Sequence, residues 1–311
     1  MQAEKDTVKI LIPPGIGDAY WVLVKLQAFL EREGLGIPEI YVASPQEKKF
    51  QSHLRAFPFL EMFPFVKATW KTIDNYTEDP NTKESMFPVS FWQAAYLTSK
   101  QRIWENVLGC DYFINYNGVI NSALSLAEVD SDLICNWNLP MSVSLEQEEY
   151  KQNALQVYGD YAVFHFSFQG SYAISGGAIS VSQAVYLVKR VSALFGLTPV
   201  IVGGGWDTVD LGITRILIKT DCVDLVGKTS LDELFGLIRG AKIVVGHASG
   251  LEMVSPMLGT KTLTMWENRH LGETPWNVVS PQVKNSLYYV EMINGLKMNY
   301  LTGRVEDILV C

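Results

Sequence analysis

Residues 225–266 read LVGKTSLDELFGLIRGAKIVVGHASGLEMVSPMLGTKTLTMW, and this stretch decides the fold. Ser230 is followed three positions later by Glu233, the spacing of a capping box, in which each side chain satisfies a backbone amide at a helix start. After Ser230 the apolar residues recur at helical spacing. Residues 243–245 are short, apolar and β-branched, as in a strand buried on both faces, and residues 262–266 predict another strand. This alternation of helices and strands predicts a parallel α/β sheet.

A second helix start follows the strand at residues 243–245. Ser249 and Glu252 also have capping-box spacing, and the small-residue turn from Gly246 to Gly250 carries the strand into the helix. In an open α/β sheet, ligands bind beyond the carboxyl ends of the strands, and the free amides of a helix start attract phosphate. The turn therefore has two interpretations, a phosphate site or a tight turn with a good cap.

The first half of the chain begins with the same order of elements. Residues 8–12 predict a strand, and the turn Pro13–Asp18 contains two glycines, Gly15 and Gly17. A helix is predicted from about residue 18 to residue 33, because its apolar residues lie on one face and glycines follow its end. Further strands are predicted at residues 40–43, 65–70 and 111–115.

The second half starts its own α/β unit after a polar, partly helical connector at residues 146–158. Its predicted elements are a strand at 161–166, a turn rich in Ser and Gly at 167–177, a helix at 182–195 and a strand at 199–202. Two such units predict two Rossmann-like domains, residues 1–155 and 156–311, which face each other across a cleft. We expect the last helix to pack back on the first domain.

The composition is that of a folded protein with about two domains, since the chain has 311 residues, 48% of them hydrophobic and 19% charged. No apolar run reaches the roughly 18–20 residues that span a bilayer. Met1–Val8 lacks the form of a signal peptide. The four cysteines are scattered without a Cys-x-x-Cys pair, which indicates reduced thiols, a cytoplasmic location and no zinc site. We expect neither a metal nor a cofactor.

The charge balance is acidic, with 33 Asp and Glu against 25 Lys and Arg. Binding to a nucleic-acid backbone needs clustered positive charge, so the balance disfavours a nucleic-acid partner without excluding a local basic groove.

Three motifs, which together span most of the chain, resemble those of the heptosyltransferase-like glycosyltransferases, glycosyltransferase family 9, whose fold is called GT-B. Pro14–Asp18 (PGIGD) is similar to the glycine-rich opening of the family, and His165–Ser167 (HFS) to the strand that starts its nucleotide-sugar domain. Val226–Leu234 (VGKTSLDEL), followed by Val245–Gly250 (VGHASG), is similar to the donor-site signature.

The resemblance implies transfer of a sugar from a nucleotide-diphosphate sugar to the hydroxyl of a glycan or another acceptor, by an inverting, metal-independent reaction in the interdomain cleft. Asp18 occupies the position of the family's catalytic base, although an Asp before a helix also serves as an N-cap. The implied donor-binding residues are Gly15, Gly17, Ser167, Gln169, Gly227, Thr229, Ser230, Leu231, His247, Ser249, Gly250 and Glu252.

Two alternatives remain open at the level of sequence. The first is a transferase that glycosylates a modified base in DNA, which the same fold can serve. The second is a non-catalytic nucleotide-sugar binder. Ala248 and Met253 support the binder, because the family often has Asp and His at these positions, and a lysine expected early in the second domain is missing between Ser167 and Ser180.

Overall fold

The computed structural model describes residues 7–12, 16–44, 59–72, 110–115, 118–120, 139, 141–166, 179–247, 249–266, 287–292 and 298–310. The chain divides into two compact units, Met1–Ser142 and Val143–Cys311. From the sequence, this boundary is predicted after residue 155.

The first unit is built on a five-stranded sheet. Its described elements are β1 (Val8–Ile12), α1 (Ile16–Glu33), β2 (Pro38–Ser44), β3 (Lys67–Thr72), β4 (Tyr112–Asn115) and β5 (Gly118–Ile120). The strand order is β3-β2-β1-β4-β5, and all neighbours are parallel except β4 and β5. The strands predicted at residues 8–12, 40–43, 65–70 and 111–115 are therefore confirmed, with shifts of up to two residues at their ends.

The core of the first unit lies between β1 and α1. Ile10 and Ile12 of β1 are fully buried. On the inner face of α1, Leu23 is fully buried and Leu26 is 1% exposed. Since β1 has β2 on one side and β4 on the other, the chain reverses its direction of winding at β1. The carboxyl end of β1 is thus the topological switch point, the usual position of a ligand crevice in an open α/β sheet.

The helix start of α1 differs from the prediction. The helix begins at Ile16, so Asp18 is its third residue and not its N-cap. Gly17 lies in the first turn of α1 and is partly exposed. Gly15 lies outside the described residues, and of Asp18 only the backbone position is described.

The second unit contains a six-stranded sheet whose neighbouring strands are all parallel, in the order β11-β10-β9-β6-β7-β8. Its helices are α2 (Leu145–Tyr158), α3 (Val181–Phe195), α4 (Leu211–Lys219), α5 (Leu231–Gly240), α6 (Gly250–Val254) and α7 (Met298–Val310). Its strands are β6 (Tyr161–His165), β7 (Thr198–Gly203), β8 (Val223–Val226), β9 (Ile243–His247), β10 (Thr262–Trp266) and β11 (Tyr288–Met292). Two 3₁₀ turns, Gly205–Val209 and Ser255–Leu258, precede α4 and follow α6.

Helix α2, predicted as a partly helical connector, is helical along its whole length and packs on α5. A Cβ at Gly236 of α5 would overlap the carbonyl oxygen of Gln147, so the glycine permits this close approach. The side-chain amide of Gln147 and the hydroxyl of Ser144 both donate to Asp232 Oδ1, at 2.8 and 2.7 Å. These contacts make α2 part of the second unit.

The C-terminal helix α7 also contributes to the core of this unit. Val305 and Ile308 are fully buried and belong to the same apolar cluster as Leu187 and Val191 of α3. In addition, Lys261 Nζ, just before β10, donates to the Ile308 carbonyl at 2.9 Å.

Candidate functional site

The second sheet has its own topological switch point, at β6. From β6 the chain winds to β7 and β8 on one side, and it then returns to β9 on the other side. His165, the last residue of β6, stands opposite Gly246 of β9 in the parallel register. The carboxyl ends of β6 and β9 therefore define the position where a ligand crevice is expected in this unit.

A cluster of three polar side chains occupies this position. Nδ1 of His165 lies 2.9 Å from Oε1 of Glu252 and 3.4 Å from Oγ of Ser249. The Ser249 hydroxyl donates to the other carboxylate oxygen, Glu252 Oε2. Both oxygens of Glu252 are therefore engaged, and the side chain is fully buried, whereas 11% of the His165 side chain is exposed. The cluster joins the end of β6 to the start of α6.

The capping box predicted for Ser249 and Glu252 does not form, although Ser249 still caps the helix. Ser249 is the N-cap of α6, and its Oγ accepts a hydrogen bond from the Leu251 amide at 3.2 Å. Glu252 does not return to the Ser249 amide, because its carboxylate turns inward to His165 and to the Ser249 hydroxyl. The predicted reciprocal bond is wrong, and a contact between Glu252 of α6 and His165 at the end of β6 replaces it.

The carboxylate of Glu252 can lie against β9 because residue 246 of this strand is a glycine. A Cβ at Gly246 would overlap Glu252 Oε1 and would lie 2.6 Å from the His165 carbonyl oxygen and 2.9 Å from Glu252 Cδ. No side chain larger than hydrogen leaves room for the carboxylate. Gly246 is thus a structural requirement of the cluster.

His247, a predicted donor-binding residue, is the last residue of β9 and is 1% exposed. Its ring packs edge to face on Phe166, with the ring centroids 5.9 Å apart. This is the environment of a core histidine. Ala248, one of the two departures from the family, lies outside the described residues, and Met253, the other, is half-buried in α6.

Helix α6 is short. The α-helical segment has five residues and ends at Val254, where a 3₁₀ turn that contains Pro256 begins. Pro256, which has no backbone N–H to donate, accounts for this early end of the α-helical segment. Because the field at a helix start arises from aligned peptide dipoles, five residues supply less of it than a full-length helix.

The second predicted binding turn connects β8 to α5. Gly227 has φ 68°, a left-handed conformation that glycine adopts without strain. Ser230 is the N-cap of α5 and forms the complete capping box with Glu233, which confirms that prediction. Gly227 and Ser230 are exposed, Thr229 is half-buried and Leu231 is buried. The turn therefore presents backbone and small polar groups at its surface.

A glycine turn after β7 supports the turn after β8. The Gly227 amide donates to the Gly203 carbonyl at 3.1 Å, and a Cβ at Gly227 would lie 3.2 Å from Gly205 Cα. Buried Asp207 holds this glycine turn by accepting from the Gly204 amide at 2.6 Å. The ends of β9, β6, β7 and β8 thus form one continuous row at the same edge of the sheet.

Ser167 and Gln169 lie outside the described residues. Among the residues that the structure describes, no group of three or more His, Cys, Asp or Glu side chains could hold a metal ion. The sequence contains one Asp-x-Asp pair, Asp130 and Asp132, which also lies outside the described residues. Within the described segments, no helix is both long enough and apolar enough to cross a membrane.

Comparison with known proteins agrees with the predicted resemblance. Residues 208–295, which include both the Gly227–Leu231 turn and α6, match the model of glycosyltransferase family 9 (heptosyltransferase). Comparison with curated protein sequences finds no match. The family match confirms the resemblance to the heptosyltransferase-like glycosyltransferases and identifies the chain as a glycosyltransferase.

Solved structures extend the likeness of the fold to the whole chain. The chain is similar to Escherichia coli ADP-heptose LPS heptosyltransferase II, with a TM-score of 0.63 at 14% identity, over 98% of this chain and 99% of the other. It is also similar to the glycosyl transferase family 9 protein of Veillonella parvula (0.60, 12%, covering 100% and 99%) and to E. coli heptosyltransferase WaaC with ADP (0.53, 13%, covering 97% of each). These matches confirm the predicted GT-B-type α/β fold.

Proposed function

We propose that this protein transfers a sugar from a nucleotide-diphosphate sugar to an acceptor hydroxyl, with inversion at the anomeric carbon and without a metal ion. The observation that carries the proposal is the continuous row of strand ends from β9 to β8. This row holds the polar cluster of His165, Ser249 and Glu252 and the turn at Gly227. Gly227, Ser249 and Glu252 lie within the residues that match the family, and His165 lies before them.

The dimensions of the row fit a nucleotide. Neighbouring strands lie about 4.8 Å apart, so the three gaps from β9 to β8 span roughly 14 Å. We assign the nucleoside to the turn of Gly227, Thr229, Ser230 and Leu231, where glycine permits close approach. The diphosphate and the sugar then lie at the ends of β6 and β9, near Ser249 and Gly250, with Ser167 and Gln169 as further donor-binding residues in the segment after β6.

The reaction determines where charge develops in the site and which groups must stabilise it. The acceptor oxygen forms a bond to the anomeric carbon, the bond from that carbon to the β-phosphate oxygen breaks, and the electron pair leaves with the nucleoside diphosphate. The acceptor proton passes to a base, for which we propose Asp18, beside Gly15 and Gly17 at the switch point of the first unit. Attack opposite the leaving group inverts the anomeric carbon. Fixed donors at the diphosphate stabilise the charge that develops there.

The proposal includes a location in the cytoplasm and an acceptor that is a glycan or another hydroxyl compound. Cys222 is a free thiol, which supports a reducing compartment. The acidic balance of 33 Asp and Glu against 25 Lys and Arg supports an acceptor other than DNA.

The test is a screen of donor and acceptor together. Purified protein is incubated with ADP-, UDP-, GDP- and CDP-sugars and a library of sugar acceptors, and products are read by mass spectrometry. The proposal predicts an acceptor whose mass has increased by one sugar residue, together with release of the matching nucleoside diphosphate. Binding of a nucleotide sugar without any release of diphosphate would instead support the non-catalytic binder.

A further inference from the structure

Glu252 is a buried carboxylate for which the reaction outlined above has no direct use. Its side chain is fully buried, and both of its oxygens accept hydrogen bonds from groups at the strand ends. A buried charge is unfavourable unless it is paired and hydrogen-bonded. The strand beside it carries a glycine, Gly246, where any Cβ would overlap this carboxylate. The ends of β6 and β9 and the start of α6 thus together hold the Glu252 carboxylate against His165.

The contact with Glu252 orients the His165 ring. An ionised carboxylate only accepts hydrogen bonds, so Nδ1 of His165 is the donating nitrogen in this pair. In the imidazolium form Nε2 also carries a hydrogen, so the ring can donate to Glu252 through Nδ1 and to a phosphate through Nε2 at the same time. The hydrogen bond at Nδ1 sets the orientation of the ring, and therefore the direction in which Nε2 acts. His165 is the last residue of β6, at the switch point of the sheet, and 11% of its side chain is exposed.

Among the described residues at these strand ends, little positive charge is available to the diphosphate. Residues 167–180 contain neither Lys nor Arg. The nearby turn after β8 carries Lys228, but its ammonium is paired with Asp224. Helix α6 has five residues and supplies only a weak helix-start field. An imidazolium at the end of β6, paired with the Glu252 carboxylate, supplies a positive charge and a donor at the place where the leaving group needs them.

We propose that His165, positioned by Glu252, binds the diphosphate of the donor through Nε2 and stabilises the charge that the diphosphate gains as it leaves. This inference rests on the proposed function, because it assigns one contact within the proposed donor site. His165 contacts the substrate and is therefore a catalytic residue in this scheme. Glu252 is a positioning residue that acts through the imidazole, and Ser249 holds the second carboxylate oxygen.

The rival explanation is that the pair only fastens α6 to the sheet. The variant His165→Asn separates the two, because the Asn amide nitrogen takes the approximate place of Nδ1 and can still donate to Glu252, whereas no group replaces Nε2. Lys242→Gln is the matched control, since Lys242 lies at the opposite, amino-terminal edge of the same sheet in an exposed ion pair with Asp160. Glu252→Gln tests the positioning role.

The experiment is calorimetry at pH 7 with ADP, UDP, GDP and CDP on the wild type, followed by the preferred diphosphate and its nucleoside on each variant. We expect His165→Asn to weaken binding of the diphosphate at least tenfold and to change nucleoside binding less than twofold. Glu252→Gln is expected to weaken diphosphate binding in the same direction, and Lys242→Gln to change neither. A folded His165→Asn protein that binds the diphosphate as the wild type does would overturn the inference.

A second readout requires no variant to fold. The chain contains four histidines, so ¹⁵N labelling of histidine gives a small set of ring signals. We expect the Nε2 signal of His165 to shift when the preferred diphosphate is added and to stay in place with the nucleoside. An unchanged signal under saturating diphosphate would refute the role of His165, whereas failure of all four diphosphates to bind the wild type would refute the proposed function itself.

Discussion

His165 and Glu252, 87 residues apart in the chain, meet at 2.9 Å where the carboxyl ends of two adjacent strands lie side by side. The contact holds the His165 ring, at the switch point of the second sheet, against the Glu252 carboxylate, which is not exposed to solvent. It also connects the fold to the proposed chemistry, because the row of strand ends to which it belongs is where we place the nucleotide.

Substitution of Gly246 tests how tightly this cluster is built. In Gly246→Ala the added methyl would overlap Glu252 Oε1 and approach the His165 carbonyl oxygen at 2.6 Å. We expect a loss of about 1–3 kcal/mol in the free energy of unfolding, as for other overpacked positions, and weaker diphosphate binding because Glu252 leaves His165.

Gly303→Ala in α7 serves as the control for Gly246→Ala. A methyl at Gly303 meets no atom within 4 Å, and alanine is favoured over glycine in a helix by roughly 0.5–1 kcal/mol. Denaturant unfolding should therefore show opposite signs for the two variants. Equal stability of Gly246→Ala and the wild type would contradict the packing described here.

Binding of the donor nucleotide should stabilise the protein. A ligand at a hundred times its dissociation constant adds about 2.7 kcal/mol, which raises the melting temperature by roughly 4 °C for a protein of this size. We expect one of ADP, UDP, GDP and CDP to produce this shift in thermal denaturation and the matching nucleoside a smaller one. The donor site as assigned would be wrong if none of the four, at millimolar concentration, moved the melting curve.

The pH dependence of stability should reveal the buried phenol of Tyr161. Burial, as the main cause, raises the pKa of Tyr161, and its hydroxyl donates to the Leu237 carbonyl at 2.6 Å. A raised folded-state pKa means that the stabilisation is complete below the unfolded value of about 10 and is lost as the pH rises through the folded value.

Tyr161→Phe isolates this contribution, since it removes only the hydroxyl. At pH 8 the variant should be less stable by about 1 kcal/mol, the usual size of one hydrogen bond. The difference from the wild type should narrow between pH 10 and pH 11, measured by urea unfolding. A difference that stays constant across this range would show that Tyr161 titrates normally in the folded protein.

Chelation should leave the reaction intact. We expect nucleotide binding and sugar transfer to persist in excess EDTA, because protein donors at the ends of β6 and β9 take the part that a divalent cation plays elsewhere. The control is a repeat with added magnesium or manganese. Activity that disappears in EDTA and returns with either cation would refute metal independence and direct attention to Asp130 and Asp132.

Local signals in the sequence were sufficient for most of the α/β pattern. The capping box of Ser230 and Glu233 marks the start of α5 because both partners lie within one helical turn. The missed elements are α4, β5, β8 and β11, of which α4 and β8 have weak local patterns. Helix α4 has only nine residues and is rich in isoleucine, and β8 is a four-residue edge strand in which Asp224 is half-buried.

A local sequence pattern could not predict the pairing of Glu252 with His165. The capping-box rule considers only the residues of one helix start, and Glu252 has the spacing for it. In the folded chain the Glu252 carboxylate instead contacts His165 at the end of β6, so it turns away from the Ser249 amide. The start of α1 illustrates the same limit, because the helix begins two residues before Asp18 and the N-cap interpretation of Asp18 no longer holds.

If this protein transfers a sugar with Asp18 as the catalytic base, Asp18→Asn must slow the transfer. Asp18 is the third residue of α1, so the substitution removes a negative charge from the first helical turn. This costs roughly 0.3–1 kcal/mol of stability, so the variant should fold. The measurement is the rate of diphosphate release from the preferred donor in the presence of acceptor, together with donor affinity, for wild type and variant. We predict a fall in rate of at least a hundredfold with donor affinity nearly unchanged, because a positioned base contributes about 10²–10⁴. An Asp18→Asn protein that releases diphosphate at the wild-type rate would contradict the account.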